Sequence, residues 1–229
     1  MSTVLITGSN RGIGLEFAKQ YAAADWQVLA CCRHPDQATA LRELVQKYPQ
    51  VKILALDVTS QEQINDLAKT LAEVPIDVLI NSAGILVDGD MNINNVQTEH
   101  LQRLFLTNSI APMQMIKALL KNVMNSKAKK IIYLSSSMGS IEENTSGGYY
   151  AYRASKSAGN SLMKNLSLEL KPQGIKVLML HPGWVKTDMG GSNAEIEVVE
   201  SVTGMRNVIE QLGEKTGVYY DYSGRMLAW

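Results

Sequence analysis

Short apolar runs alternate along this chain with longer stretches whose apolar residues recur at helical spacing. The runs 4–7, 27–31, 52–57, 76–80, 131–135 and 176–180, with a shorter one near 218–220, have strand length and are rich in Val, Ile and Leu. Between them, 12–24, 35–48, 59–72, 98–126 and 149–170 predict helices. Thr59-Ser-Gln-Glu62 reads as a capping box opening the third of these. Pro112 predicts a break or bend inside 98–126. Pro172 and Gly174 close the helix that begins near 149, and 188 to about 202 reads as a short lid. Apolar strands separated by helices belong to a buried, mostly parallel sheet with right-handed crossovers. No linker, low-complexity tract or fixed-period repeat interrupts the pattern. The expectation is one α/β domain over 1–229, a doubly wound, mostly parallel seven-stranded sheet with helices on both faces.

Composition narrows the classes. The 229 residues suffice for one core of this kind. Twenty-two basic residues balance 22 acidic ones, which argues against a nucleic-acid or polybasic membrane partner. The N-terminal residues lack a basic start and an apolar run of the ~20 residues a membrane span needs, so neither a signal peptide nor a membrane anchor is expected. Cys31 and Cys32 are adjacent on a strand and point to opposite faces, which places them badly for a mutual bridge and fits reduced thiols in a cytoplasm. His34, His100 and His181 lack ligand spacing, so no metal is expected.

The first strand runs straight into Thr7-Gly8-Ser9-Asn10-Arg11-Gly12-Ile13-Gly14, and a helix follows. Glycines at such a turn let the backbone approach a pyrophosphate, and the helix N-terminus offers free N–H groups to it. The placement predicts a Rossmann-type dinucleotide site. The second strand ends at Ala30-Cys-Cys-Arg33 without the acid that would hold a ribose 2′-hydroxyl. Arg33, joined by Arg11, suits a 2′-phosphate instead, which points to NADP(H) rather than NAD(H). Asp57 could bond adenine or cap the loop after the third strand.

The second half holds Gly147-Gly-Tyr149-Tyr150-Ala-Tyr152-Arg153-Ala-Ser-Lys156. Tyr152 and Lys156 are four apart and share a helix face. A cation near a tyrosine favours its phenolate, so the pair is a candidate acid. Alone, the spacing is equally that of an amphipathic helix with a snorkelling lysine. Tyr149 and Arg153 share the spacing, but an arginine keeps its proton.

These segments together resemble the short-chain dehydrogenase/reductase superfamily over essentially the full length. The resemblance is carried by TGSNRGIG, Asp57-Val58, Asn81-Ser-Ala83-Gly84, Asn108, LSSSMGS at 134–140, YRASK at 152–156 and HPGWVKT at 181–187. Among its branches the chain looks most similar to the sniffer-like carbonyl reductases, which also include the C-factor signalling proteins. The resemblance implies a dinucleotide-binding half at about 1–110 and a catalytic half at about 111–229. It implies Tyr152 as proton donor to a carbonyl oxygen, Lys156 lowering the Tyr152 pKa, Ser136 (with Ser137 as the alternative) holding the carbonyl, and Asn108 holding a relay water. It implies cofactor contacts from the glycine turn, Asp57, Val58, Asn81, Ala83, Gly84, Pro182, Gly183 and Thr187, and from Tyr152 and Lys156, with Lys156 holding the nicotinamide ribose. Met138, Tyr149, Tyr150, Trp184 and Met189 are candidates for the wall of an open pocket accepting several aldehydes or ketones. A homodimer or tetramer is implied, and a signalling protein with little turnover is the second class. A hydrolase is disfavoured, because no G-x-S-x-G elbow occurs.

Overall fold

The computed structural model describes residues 1–87 and 91–229. Its strands are β1 (Thr3–Thr7), β2 (Gln27–Cys32), β3 (Val51–Ala55), β4 (Val78–Asn81), β5 (Lys130–Leu134), β6 (Lys176–His181) and β7 (Val218–Asp221). They form one sheet in the order 3-2-1-4-5-6-7, and each of its pairings is parallel. The strand order reverses between β1 and β4, which opens a crevice beyond their carboxyl ends.

Alternation along the strands divides the core into two layers. Val4, Ile6, Val28, Ala30 and Cys32 face α1 (Gly12–Ala23), α2 (Thr39–Lys47) and α7 (Val198–Glu210). Leu5, Leu29, Cys31, Leu79 and Ile131 face α3 (Gln61–Thr70), α5 (Ala111–Met124) and α6 (Tyr150–Leu170). The doubly wound reading is therefore met, and the two cysteines fall in opposite layers. Burial of this kind contributes about 1.5–3 kcal/mol for each large apolar side chain.

Two local expectations are corrected, and a third takes a definite form. The cap of α3 lies one residue later than the Thr59–Glu62 box. Ser60 accepts from the Gln63 amide at 3.3 Å, and the Gln63 side chain turns back to the Asp57 amide at 2.7 Å. The break expected near Pro112 is a π-turn over 106–110 between α4 (Thr98–Phe105) and α5, in which the Ala111 amide reaches back to Leu106. The stretch assigned to a lid up to about 202 is helical from Val198 onward. Its β-branched residues and Gly204 have weak helix propensity. Tertiary contacts override that: Val202, Met205 and Ile209 are buried, and Ser201 donates to the Pro182 carbonyl at 2.6 Å.

Candidate active site

The exit of β1 is built for a close visitor. Gly8 and Gly12 have φ of 68° and 54°, which side chains avoid. A Cβ on Gly8 would lie 2.9 Å from the Ala83 Cα, and one on Gly14 would overlap the Gly8 carbonyl. The Thr7 hydroxyl accepts from the Ser82 and Ala83 amides at 3.0 and 3.1 Å, tying the turn after β4 to the glycine turn. Arg11 makes no side-chain cap to α1, and the first turn of α1 carries no acid. The N-terminal amides and their positive end are thus left to an anion, and a pyrophosphate fits there.

The other residues of this half divide by what their side chains do. Ser9 is fully buried and donates to the Ile6 carbonyl at 2.7 Å, so it shapes the turn. Asn10 is exposed, and Ile13 packs on the core. Arg11 ion-pairs with Asp188, which bridges the glycine turn and the lid instead of joining Arg33. Both partners are well exposed, so the pair is weak. Arg33 is exposed at the end of β2. Asp57 accepts from the Thr59 amide and hydroxyl at 2.9 and 2.7 Å, which is the loop-capping alternative. Burial pushes its carboxyl up, but the Thr59 bonds and the Arg33 and His34 charges outweigh that and leave it lowered. Val58 packs against the second core layer. Asn81 is buried, with its Oδ1 unpartnered at the end of β4.

In the second half of the chain, α6 begins at Tyr150, one residue after Tyr149, whose left-handed φ of 49° turns the chain into the helix. Tyr152 and Lys156 lie on its inner face, 9% and 5% exposed. The Lys156 Nζ donates to the Leu134 carbonyl at 2.8 Å and stands 5.8 Å from the Tyr152 ring centroid. Burial lowers the Lys156 ammonium to about 8. Burial also raises the Tyr152 phenol, against the Ser136 hydrogen bond that works to lower it. This direction is the opposite of the lowering expected from Lys156: burial strips water from the phenolate and disfavours it. The consequence is a phenol that keeps its proton at neutral pH and has it to give.

Ser136 is the serine whose side chain meets Tyr152. Ser135 is instead spent on Asn160 at 2.6 Å, and Ser137 opens a short 3-10 turn. Asn108 is fully buried in the π-turn. Its side chain clamps Ile85, accepting from that amide at 2.9 Å and donating to that carbonyl at 3.0 Å. Gly84 lies between the two halves, where a Cβ would sit 3.6 Å from Lys156 Nζ and 3.4 Å from Asn108 Oδ1. Gly183, at φ 84°, turns the chain after β6 beneath Ile196, and Pro182 receives the Ser201 bond. Thr187 accepts from the Gly190 amide at 3.0 Å and closes on Gly12.

Around Tyr152 an apolar wall forms from Leu101, Leu104, Ile85, Leu86, Val87, Met138 and Tyr149. Of the anticipated wall residues, Met138 and Tyr149 are here, while Tyr150, Trp184 and Met189 are exposed at 43, 51 and 47%. Residues 85–87 went unrecognised as site residues. Their only signal was position, just past the end of β4 in the crevice. Thr7 stands in the glycine-turn motif, but spacing gives no sign of its bonds to the turn after β4. Arg153 donates to the Gly147 carbonyl and the Ser146 hydroxyl, so its pairing with Tyr149 is loop structure. Among the described residues no helix is long and apolar enough to cross a membrane, and no cluster of three metal-ligating side chains occurs.

A glycine turn facing a Tyr–Lys helix across a parallel sheet defines a class, and the sequence matches it: a family model described as short chain dehydrogenase covers residues 2–197, and the chain belongs to that family. Among its relatives, the C-signal protein of Myxococcus xanthus is 40% identical over 157 residues, 68% of this chain and 93% of that one. The solved structure of the carbonyl reductase Sniffer of D. melanogaster superposes with a TM-score of 0.92 at 35% identity, all of both chains being covered. An NADPH-bound carbonyl reductase from chicken fatty liver gives 0.92 at 34% identity, over 100% of this chain and 99% of that one.

Proposed function

We propose that this oxidoreductase is an NADPH-dependent carbonyl reductase acting on aldehydes or ketones, with Tyr152 as general acid. The observation that carries this is the meeting of Ser136, Tyr152 and Lys156 in one buried pocket at the carboxyl ends of β5 and α6's first turns, facing the glycine turn. The glycine turn and the uncapped α1 terminus would hold the pyrophosphate, and Arg33 a 2′-phosphate. Bound there, NADPH supplies the hydride. Ser136 orients the carbonyl oxygen by hydrogen bond. Tyr152, kept protonated by burial, gives that oxygen its proton as negative charge develops. Lys156 stands beside the phenol as the cation that steadies the phenolate left behind. The Sniffer and chicken proteins are carbonyl reductases, and the chicken structure has NADPH bound, which supports this reading.

The test is NADPH consumption by the purified protein over a panel of aldehydes, ketones and α-diketones, with NADH and Tyr152→Phe alongside. Turnover with NADPH that drops about 10²- to 10⁴-fold in the variant, at retained NADPH binding, is the expected result. NADPH binding with no turnover on any carbonyl would refute the enzyme and favour a role in signalling, the reading that 40% identity to C-signal supports. A second copy of this chain is the proposed partner, through the face where Leu106, Ile110 and Leu168 are 40, 45 and 62% exposed.

A further inference from the structure

Tyr133 lies on β5 beneath the Tyr–Lys helix, and none of the roles above uses it. Its side chain is 1% exposed. The hydroxyl donates to the Asn108 backbone carbonyl at 2.7 Å. The Lys156 Nζ stands 5.2 Å from its ring centroid, nearer than to the Tyr152 ring. A Cβ on Gly159 would overlap the Tyr133 hydroxyl, so α6 is pared to glycine where the phenol passes.

The Asn108 carbonyl has a reason to need an outside donor. A helical carbonyl ordinarily accepts the amide four residues on, and position 112 is proline, which has no N–H. The Ala111 amide, one residue earlier, is already drawn back five residues to Leu106. Asn108 is fully buried, and an unmet buried carbonyl costs about 1–3 kcal/mol. The groups facing Lys156 are the Tyr152 phenol on its own helix, the Tyr133 ring and the Leu134 carbonyl from β5, and His181 at the end of β6. Burial drives His181 down to about 4, so it is neutral at pH 7 and adds no charge.

We propose that Tyr133 is a positioning residue of this site: its hydroxyl holds the Asn108 carbonyl of the π-turn in place, and its ring is the floor on which the Lys156 ammonium rests. The kinetic part rests on the carbonyl-reductase reading, and the titration part does not.

Two variants separate the parts. Tyr133→Leu removes the ring face that favours an ammonium. In protein free of cofactor, the Lys156 midpoint, read by NMR of ¹³C-labelled lysine and assigned by its loss in Lys156→Met, is expected to fall. Tyr133→Met replaces the leucine variant should that one not fold. Tyr133→Phe keeps the ring and loses the hydroxyl, so kcat is expected to fall about 5- to 100-fold. NADPH affinity should change less than about 2-fold, which marks a loss confined to the chemical step. An unmoved Lys156 midpoint in the ring-less variant overturns the floor, and full kcat in Tyr133→Phe overturns the carbonyl support. Absence of turnover in the unmodified protein would sink the proposed activity while leaving the titration to decide this proposal.

Discussion

Replacing Lys156 by Met removes a charge that the fold carries at a cost, and pH reports that cost. Lys156 is 5% exposed, and burial lowers its ammonium from 10.5 to about 8. Below about 8 the group is protonated in both the native and the unfolded states, and the native state bears the full penalty of a buried cation. Above about 10.5 it is neutral in both, and the penalty is gone. Between these values the unfolded chain binds more protons, so stability rises with pH. The displacement from 10.5 to about 8 corresponds to about 3 kcal/mol. About 2 kcal/mol of it is relieved between about pH 7 and about pH 9.5. Methionine has similar length and does not titrate. Packing differences add a constant offset, and Lys130, whose ammonium burial also lowers, is common to both proteins and cancels. Urea unfolding of wild type and Lys156→Met, followed by far-ultraviolet circular dichroism across that range, checks the slope. Wild type is expected to gain about 2 kcal/mol on the variant as pH rises. A gap that stays constant with pH would show that burial does not govern this lysine.

Two further outcomes bear on cofactor and assembly. Arg33→Asp should weaken NADPH far more than NADH, by about 1.5–3 kcal/mol in the titration, through loss of a charge-assisted bond. Equal weakening of both cofactors would show that Arg33 does not read the 2′-phosphate. Light scattering of the purified chain, with and without NADPH, should give the mass of a dimer, and Leu168→Glu should halve it, whereas a monomer under both conditions would sink the pairing through the π-turn and α6.

The strands were legible because parallel strands are buried on both faces and so read as continuous apolar runs, as Val4-Leu-Ile and Val177-Leu-Met-Leu do. The helix over 198–210 was not legible. Its Val, Thr and Gly residues point away from helix, and it exists because Val202, Met205 and Ile209 find the first core layer and Ser201 finds Pro182. Ser60 displaced Thr59 as cap because the Gln63 side chain reaches the Asp57 amide, a contact that spacing alone cannot rank.

The order of residues by itself determined the sheet, the glycine turn and the common face of Tyr152 and Lys156, because each follows from local spacing. Only the tertiary structure decided what burial makes of them. It raises the Tyr152 phenol where spacing to a lysine promised the opposite, and it draws Arg11 to Asp188, 177 residues away. It also brings Tyr133 under Lys156 and against Asn108 from a strand 23 and 25 residues distant in sequence. Desolvation and long-range contact depend on what surrounds a group in space, and that is written only once the sheet has closed around it.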